Sequence, residues 1–178
     1  MKGLLLIVGL LLSAGVRADI SFAELTELSR APARHEGRFT QEKYIRSVDA
    51  SLHSNGKFAY RRGESIRWQT LQPIRSKLLL TPEGIRSDQG LLLQLDSNPM
   101  AAAMGEVLFA LLTADWDRLA EYFELSGNAA PPRWQAVLVP RKQALDQWFV
   151  RIELAGSALP EQIVIHERSG NRTTIRLD

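Results

Sequence analysis

Apolar residues change their spacing several times along the chain, and each spacing predicts a different kind of element. From Gly3 to Leu12 the run is continuous. Ser21-Phe22-Ala23-Glu24 then reads as a capping box, with Phe22, Leu25 and Leu28 at helical spacing behind it and Pro32 as a stop. This predicts a short amphipathic helix over about residues 20–31. From Arg34 to Leu95 the period falls to two: Phe58 and Tyr60 share a face, as do Ile66, Trp68 and Thr70, and Leu78 and Leu80. Turn residues interrupt the pattern at Ser54-Asn55-Gly56, Arg62-Gly63-Glu64, Gln72-Pro73, Pro82-Glu83-Gly84 and Gln89-Gly90. Connections this short exclude parallel crossovers and predict an antiparallel meander, with His53 beside a hairpin turn.

Between Pro99 and Phe123 the helical period returns. Met100, Met104, Val107, Leu108, Leu111 and Leu112 fall on one broad face, and Asp115 can cap a second helix carrying Trp116, Leu119 and Phe123. Pro131-Pro132 resets the chain. Strand patterns resume at Trp134–Val139, Trp148–Leu154, Gln162–His166 and Thr173–Leu177. Helix, strands, two helices, strands, without a βαβ rhythm or an internal repeat, predicts one α+β domain with helices on one face of an antiparallel sheet.

The opening run changes the picture of where the protein works. Lys2, ten apolar residues and Val16-Arg17-Ala18 before Asp19 have the layout of a cleavable signal peptide. Ten helical residues rise only ~15 Å, about half a bilayer core. Residues 1–18 are therefore read as a signal and 19–178 as the mature domain. The formal charge of +2 disappears with Lys2 and Arg17, so the mature chain lacks the basic excess of a nucleic-acid binder. There are no cysteines, which excludes disulfides, thiolate sites and a lipid-modified N-terminal cysteine. The expected compartment is the bacterial periplasm.

Candidate chemistry is sparse. His35-Glu36 begins a zinc-helix motif, but position 39 is Phe. No nucleophile elbow or phosphate-binding glycine loop occurs, and Asn171-Arg172-Thr173 reads as a turn into the last strand. The chain is read as a non-enzyme without metal or cofactor. The surplus is apolar: strand faces bearing Phe58, Tyr60, Ile66, Trp68, Leu78 and Leu80, and a helix bearing Met100, Met104, Leu108 and Leu111. Direct packing of sheet on helices accounts for this; so does an apolar cavity beneath a helical lid whose methionines can repack.

Several motifs resemble the periplasmic lipoprotein carrier family LolA. They are Gly37-Arg38-Phe39-Thr40-Gln41-Glu42-Lys43, Gly56-Lys57-Phe58-Ala59-Tyr60-Arg61-Arg62, Ile66-Arg67-Trp68, Gln72-Pro73, Trp134 with Val139-Pro140, and Ser169-Gly170-Asn171-Arg172-Thr173-Thr174-Ile175. The resemblance implies an incomplete, unclosed antiparallel β-barrel covered by a helical lid over an apolar cavity. It places a lid-latching arginine at Arg62, a handover position at Ile66 and a cavity tryptophan at Trp68. It implies acylated cargo, lipoprotein above all, passed from an inner-membrane extraction complex to an outer-membrane acceptor by a carrier expected to be monomeric. Two positions depart from the family: Gly63 stands where a proline is usual, and Ile66 where an aromatic is usual. The segment Leu91–Phe123 looks more like a branch serving fatty-acyl or aryl-polyene export, which leaves another lipid as alternative cargo. A non-carrier module of outer-membrane assembly is a further alternative.

Overall fold

A computed structural model describes residues 19–29, 32–81, 84–88, 90–94, 99–141 and 143–178; the side chains of 84, 90–94, 99–105 and 144 lie outside the description. Residues 1–18, read as a signal, lie outside it as well.

The first helix, α1 (Phe22–Leu28), starts on the expected capping box. Ser21 Oγ accepts from the Glu24 N–H at 3.2 Å, and Glu24 Oε2 accepts from the Ser21 N–H at 2.7 Å. The helix is shorter than its sequence pattern, because Ser29 caps it by donating its N–H to Leu25 O. Leu25, fully buried, anchors it.

Six strands follow: β1 (Arg34–Ile45), β2 (Ala50–Arg61), β3 (Ser65–Gln72), β4 (Ser76–Thr81), β5 (Gly84–Ser87) and β6 (Gly90–Gln94). Helices α2 (Pro99–Thr113) and α3 (Trp116–Ala120) come next. Then β7 (Phe123–Ala130), β8 (Arg133–Pro140), the single turn α4 (Gln143–Asp146), β9 (Phe149–Gly156), β10 (Pro160–Glu167) and β11 (Arg172–Leu177) complete the chain. All neighbours pair antiparallel in one eleven-stranded sheet of order β6-β5-β4-β3-β2-β1-β11-β10-β9-β8-β7. The two ends of the domain therefore meet in the middle of the sheet, Phe39 opposite Leu177 and Tyr44 opposite Arg172. The edge strands β6 and β7 are not paired with each other, and the helices joining them in sequence lie across the gap: α2 against β4, β5 and β6, and α3 against α1 and β7. An unclosed sheet with helices over its opening is the α+β architecture that the sequence pattern and its resemblance imply.

Further readings of the sequence change. Ser54-Asn55-Gly56 is not a turn: β2 runs straight through it, and His53 pairs with Glu42 in mid-strand. The β1–β2 reversal lies earlier, in a 3-10 turn at Arg46–Val48 closed by Asp49 in the left-handed region (φ 47°). Glycine at 56 serves a close approach instead, since a β-carbon there would stand 1.9 Å from Gln69 O and 2.7 Å from the Phe39 ring. Phe123 opens β7 rather than ending a helix, and β7 itself carries a half-polar sequence, as an edge strand can. The four-residue α4 adds a helix that no periodicity announces; its Leu145 is fully buried. The Arg62-Gly63-Glu64 turn is present, with Gly63 at φ 72°.

The core lies on the inner face of the sheet. In its second half Trp134, Ala136, Leu138, Ile152, Leu154, Ile163 and Ile165 are buried, together with Trp116 and Leu119 from α3. Trp116 meets Trp134 edge to face at 5.1 Å, and the Trp134 indole donates to Ser157 O at 2.5 Å. Burying each such side chain contributes about 1.5–3 kcal/mol.

Candidate functional site

Strand register turns the alternating pattern of β1–β5 into continuous cross-strand rows. One runs His35–Tyr60–Ile66–Leu80–Ile85 and the next Gly37–Phe58–Trp68–Leu78–Ser87. Tyr60, Ile66 and Leu80 are buried, as is Phe58; Trp68 and Leu78 are half-buried and pack on the same core. The helix brings Leu111, buried, and Leu108, half-buried, to that core. Phe58, Tyr60, Ile66, Trp68, Leu78, Leu80, Leu108 and Leu111 thus belong to one apolar interior. Met100 and Met104 lie on α2, and their side chains fall outside the described residues.

Phe39 belongs to the same interior without having been singled out from the sequence. It is 1% exposed, and its ring lies 3.8 Å from that of Trp68, tilted 26°. The sequence does carry a signal for it, in the repeated Gly-x-Phe of Gly37-Arg38-Phe39 and Gly56-Lys57-Phe58. In antiparallel register Gly37 faces Phe58 and Gly56 faces Phe39, so each glycine leaves room for the ring across from it. Trp134 lies over Gly156 in the same way.

Between this aromatic surface and α2 remains a cavity of about 220 Å³, lined by His35, Phe58, Tyr60, Leu112, Leu159 and Leu177 among others. Its chemistry is apolar with a polar margin: the His35 ring lies 5.5 Å from Phe58 and 6.0 Å from Tyr60. The Tyr60 hydroxyl donates to Pro32 O at 3.0 Å, and burial raises its pKa above the ordinary phenol value. Glu161 and Asp178 also line the cavity, and no cluster of three or more metal-binding side chains occurs among the described residues.

Arg62 stands where the three helices meet the sheet. It follows β2 directly, its N–H donates to Ala33 O at 3.0 Å, and its exposed side chain lines a depression of about 460 Å³. The same depression is walled by Thr26 and Ser29 of the α1 end, Phe109 and Thr113 of α2, and Asp115, Trp116 and Asp117 at the start of α3.

A second set of contacts fastens α2 to α3. The Arg118 guanidinium lies 3.0 Å from Glu106 and 3.3 Å from Glu121, while the Tyr122 hydroxyl donates to Glu106. Burial and that Glu106 hydrogen bond push the Tyr122 pKa up to about 12. The Asp115 N–H donates to Ala110 O across the α2–α3 corner, where Ala114 takes a left-handed φ of 52°.

Similarity to known proteins extends over most of the chain. A relative from Alkalilimnicola ehrlichii, named outer-membrane lipoprotein carrier protein, is 26% identical over 167 residues, covering 93% of this chain and 73% of its own. A solved LolA superfamily protein from Nitrosomonas europaea is 9% identical with a TM-score of 0.47, over 88% of this chain and 90% of that one. Solved MucB is 19% identical with a TM-score of 0.46, over 86% of this chain and 55% of MucB. Residues 33–178, from the residue before β1 to the residue after β11, match the family described as outer membrane lipoprotein carrier protein LolA, and to that family this chain belongs.

Proposed function

We propose that this protein is a periplasmic carrier that holds acyl chains, those of lipoproteins first, between the inner face of its sheet and its helices, and conveys them from the inner to the outer membrane without chemical turnover. In this reading residues 1–18 are removed on export and 19–178 form the single carrier domain. The observation that supports it most is the pair of apolar rows crossing β2–β5 beneath α2. Each buried methylene is worth ~0.8 kcal/mol, so acyl chains crossing water need such a surface. A 220 Å³ cavity is below the ~300–1,000 Å³ usual for ligand pockets, so loading requires α2 to move off the sheet.

Arg62 is the proposed latch. It lies beside the ends of α1 and α2 and the start of α3, where side-chain hydrogen bonds to the helices, as the family resemblance implies, would favour the closed state. Those bonds are lost on opening, which raises the energy of the loaded form and lets cargo pass to a better acceptor. The proposed partners are an inner-membrane extraction complex and an outer-membrane acceptor.

Mass spectrometry of lipids extracted from gently purified mature protein tests the cargo. A lipidated peptide in near-stoichiometric amount supports the lipoprotein reading. Fatty acyl or polyene species transfer the protein to another lipid-export system. Protein that is empty and takes up no offered lipid overturns the carrier. For the latch, Arg62→Leu should load normally and release poorly; transfer at the wild-type rate would assign the latch elsewhere.

A further inference from the structure

A further groove, of about 690 Å³, lies away from the helices, on the opposite face of the sheet. Its floor is the backbone of the row Gly37–Phe58–Trp68–Leu78–Ser87, whose side chains point inward to the core. Side chains one residue to either side point outward and form its walls. One wall carries Glu36, Ala59, Arg67, Leu79 and Arg86; the other carries Lys57, Gln69, Lys77 and Asp88.

Its cations follow a pattern. Lys57 lies on β2, Arg67 on β3, Lys77 on β4 and Arg86 on β5, one per strand, alternating between the two walls, and all four are exposed. Neighbouring strands lie about 4.8 Å apart, so the groove extends roughly 19 Å across β1–β5. Carboxylates stand only at its two ends, Glu36 and Asp88. Leu79, 36% exposed, sits between Arg67 and Arg86, and Ala59 lies on the other side of Arg67.

We propose that this groove binds an extended segment of a partner protein whose sequence alternates acidic and apolar side chains. A two-walled channel does not match the flat surface of a bilayer. Leu79, Ala59 and the aliphatic stems of the four cations give it apolar lining that a uniformly hydrophilic polyanion would leave unused. An extended peptide rises about 3.3 Å per residue, so about six residues fill the groove. With acidic residues at every second position its carboxylates share one face about 6.6 Å apart. That face, turned into the groove, lies within reach of the long cationic side chains on both walls. The proposal concerns the outer face only and is independent of what the interior carries.

The test is fluorescence anisotropy with a fluorescein-labelled octapeptide of alternating glutamate and leucine. Binding should weaken with added salt, should persist when palmitate is present to fill the interior, and should fall about tenfold or more in Lys57→Glu/Lys77→Glu. Arg67→Glu/Arg86→Glu should act alike, while uptake of palmitate by both variants stays at the wild-type level. The milder Lys57→Gln/Lys77→Gln, with its urea midpoint measured alongside, serves if charge reversal impairs folding. No binding, binding insensitive to all these variants, or displacement of the peptide by palmitate overturns the proposal. Equal affinity for hexaglutamate would replace it with a general polyanion site. Co-sedimentation with phosphatidylglycerol vesicles that depends on Lys57 and Lys77 would replace it with a membrane contact.

Discussion

Phe39 faces Gly56 across the β1–β2 ladder, its ring edge 2.7 Å from the point where a β-carbon on Gly56 would stand. The ring fills the space that the missing side chain leaves and continues into the stack on Trp68, 3.8 Å away. A local absence of side chain on β2 thus sets the position of an aromatic surface that spans three strands.

Gly56→Ala should therefore be costly. Its methyl group would meet Gln69 O at 1.9 Å as well as the Phe39 ring, so backbone must move. A loss of about 2–3 kcal/mol is expected, read as a lower urea midpoint at unchanged slope. Gly63→Ala is the contrasting case: its β-carbon meets nothing within 4 Å, and only the φ of 72° opposes it. That change should cost about 1 kcal/mol. Equal losses at the two sites would contradict the argument.

Trp68 is the plate between Phe39 and Phe58, whose ring lies 6.1 Å from it. Trp68→Ala should lower stability by about 3 kcal/mol, near the low end for tryptophan because the side chain is only half-buried. Uptake of a fatty-acyl dye by folded Trp68→Ala, measured below its unfolding transition, is expected to fall below that of wild type because the indole belongs to the acyl-binding row; equal or greater uptake would remove Trp68 from that surface.

Glu106, Arg118 and Tyr122 join α2 to α3, so they should govern how the helices move together. Arg118 and Glu106 are both partly exposed, and Arg118→Met should cost under about 1 kcal/mol. Its effect belongs to dynamics: acyl-dye entry should be faster. Tyr122 adds a pH signature. Its pKa is raised from 10.0 to about 12, so the protonated phenol contributes stability that is complete below pH 10 and is lost as pH rises through about 12. Tyr122→Phe should remove that alkaline step from a plot of stability against pH, leaving lower pH unaffected in slope.

What the sequence disclosed, and what it did not, follows from the range of the forces. The capping box at Ser21 and Glu24 and the turn at Gly63 are satisfied within a few residues, so both are readable in place. Apolar alternation in β2–β4 reports the inner face because each strand is half-buried. Gly56 misleads because its reason lies seventeen positions away at Phe39 and on the next strand at Gln69; nothing local separates a close-approach glycine from a turn glycine. β7 escapes because an edge strand needs only one good face, and Phe123-Glu124-Leu125-Ser126-Gly127 alternates too briefly to register. The candidate interior was largely legible from period alone, whereas Phe39 needed the pairing register. The outer groove needed it too, since its four cations are scattered over thirty residues of sequence.

The site where the two ends of the domain pair gives the last prediction. Glu167, at the end of β10, accepts from Ser169 Oγ at 2.9 Å and Asn171 Nδ2 at 3.0 Å, and Lys43 of β1 lies 3.4 Å from it. Burial alone would raise its pKa, but the two hydrogen bonds and the Lys43 charge outweigh burial and hold the carboxyl below its ordinary value of 4.5. A depressed carboxylate contributes stability that is present above the unfolded-state value and is lost as pH falls through the folded one. Wild type should therefore lose stability as pH drops below about 4.5, with part of that loss belonging to Glu167. Glu167→Gln keeps the shape and removes the charge. It should cost about 1 kcal/mol at pH 7 and show a shallower acid decline, with amide exchange quickening first in the 168–171 turn. An acid decline identical in slope to wild type would mean that the β1–β11 junction draws nothing from this carboxylate.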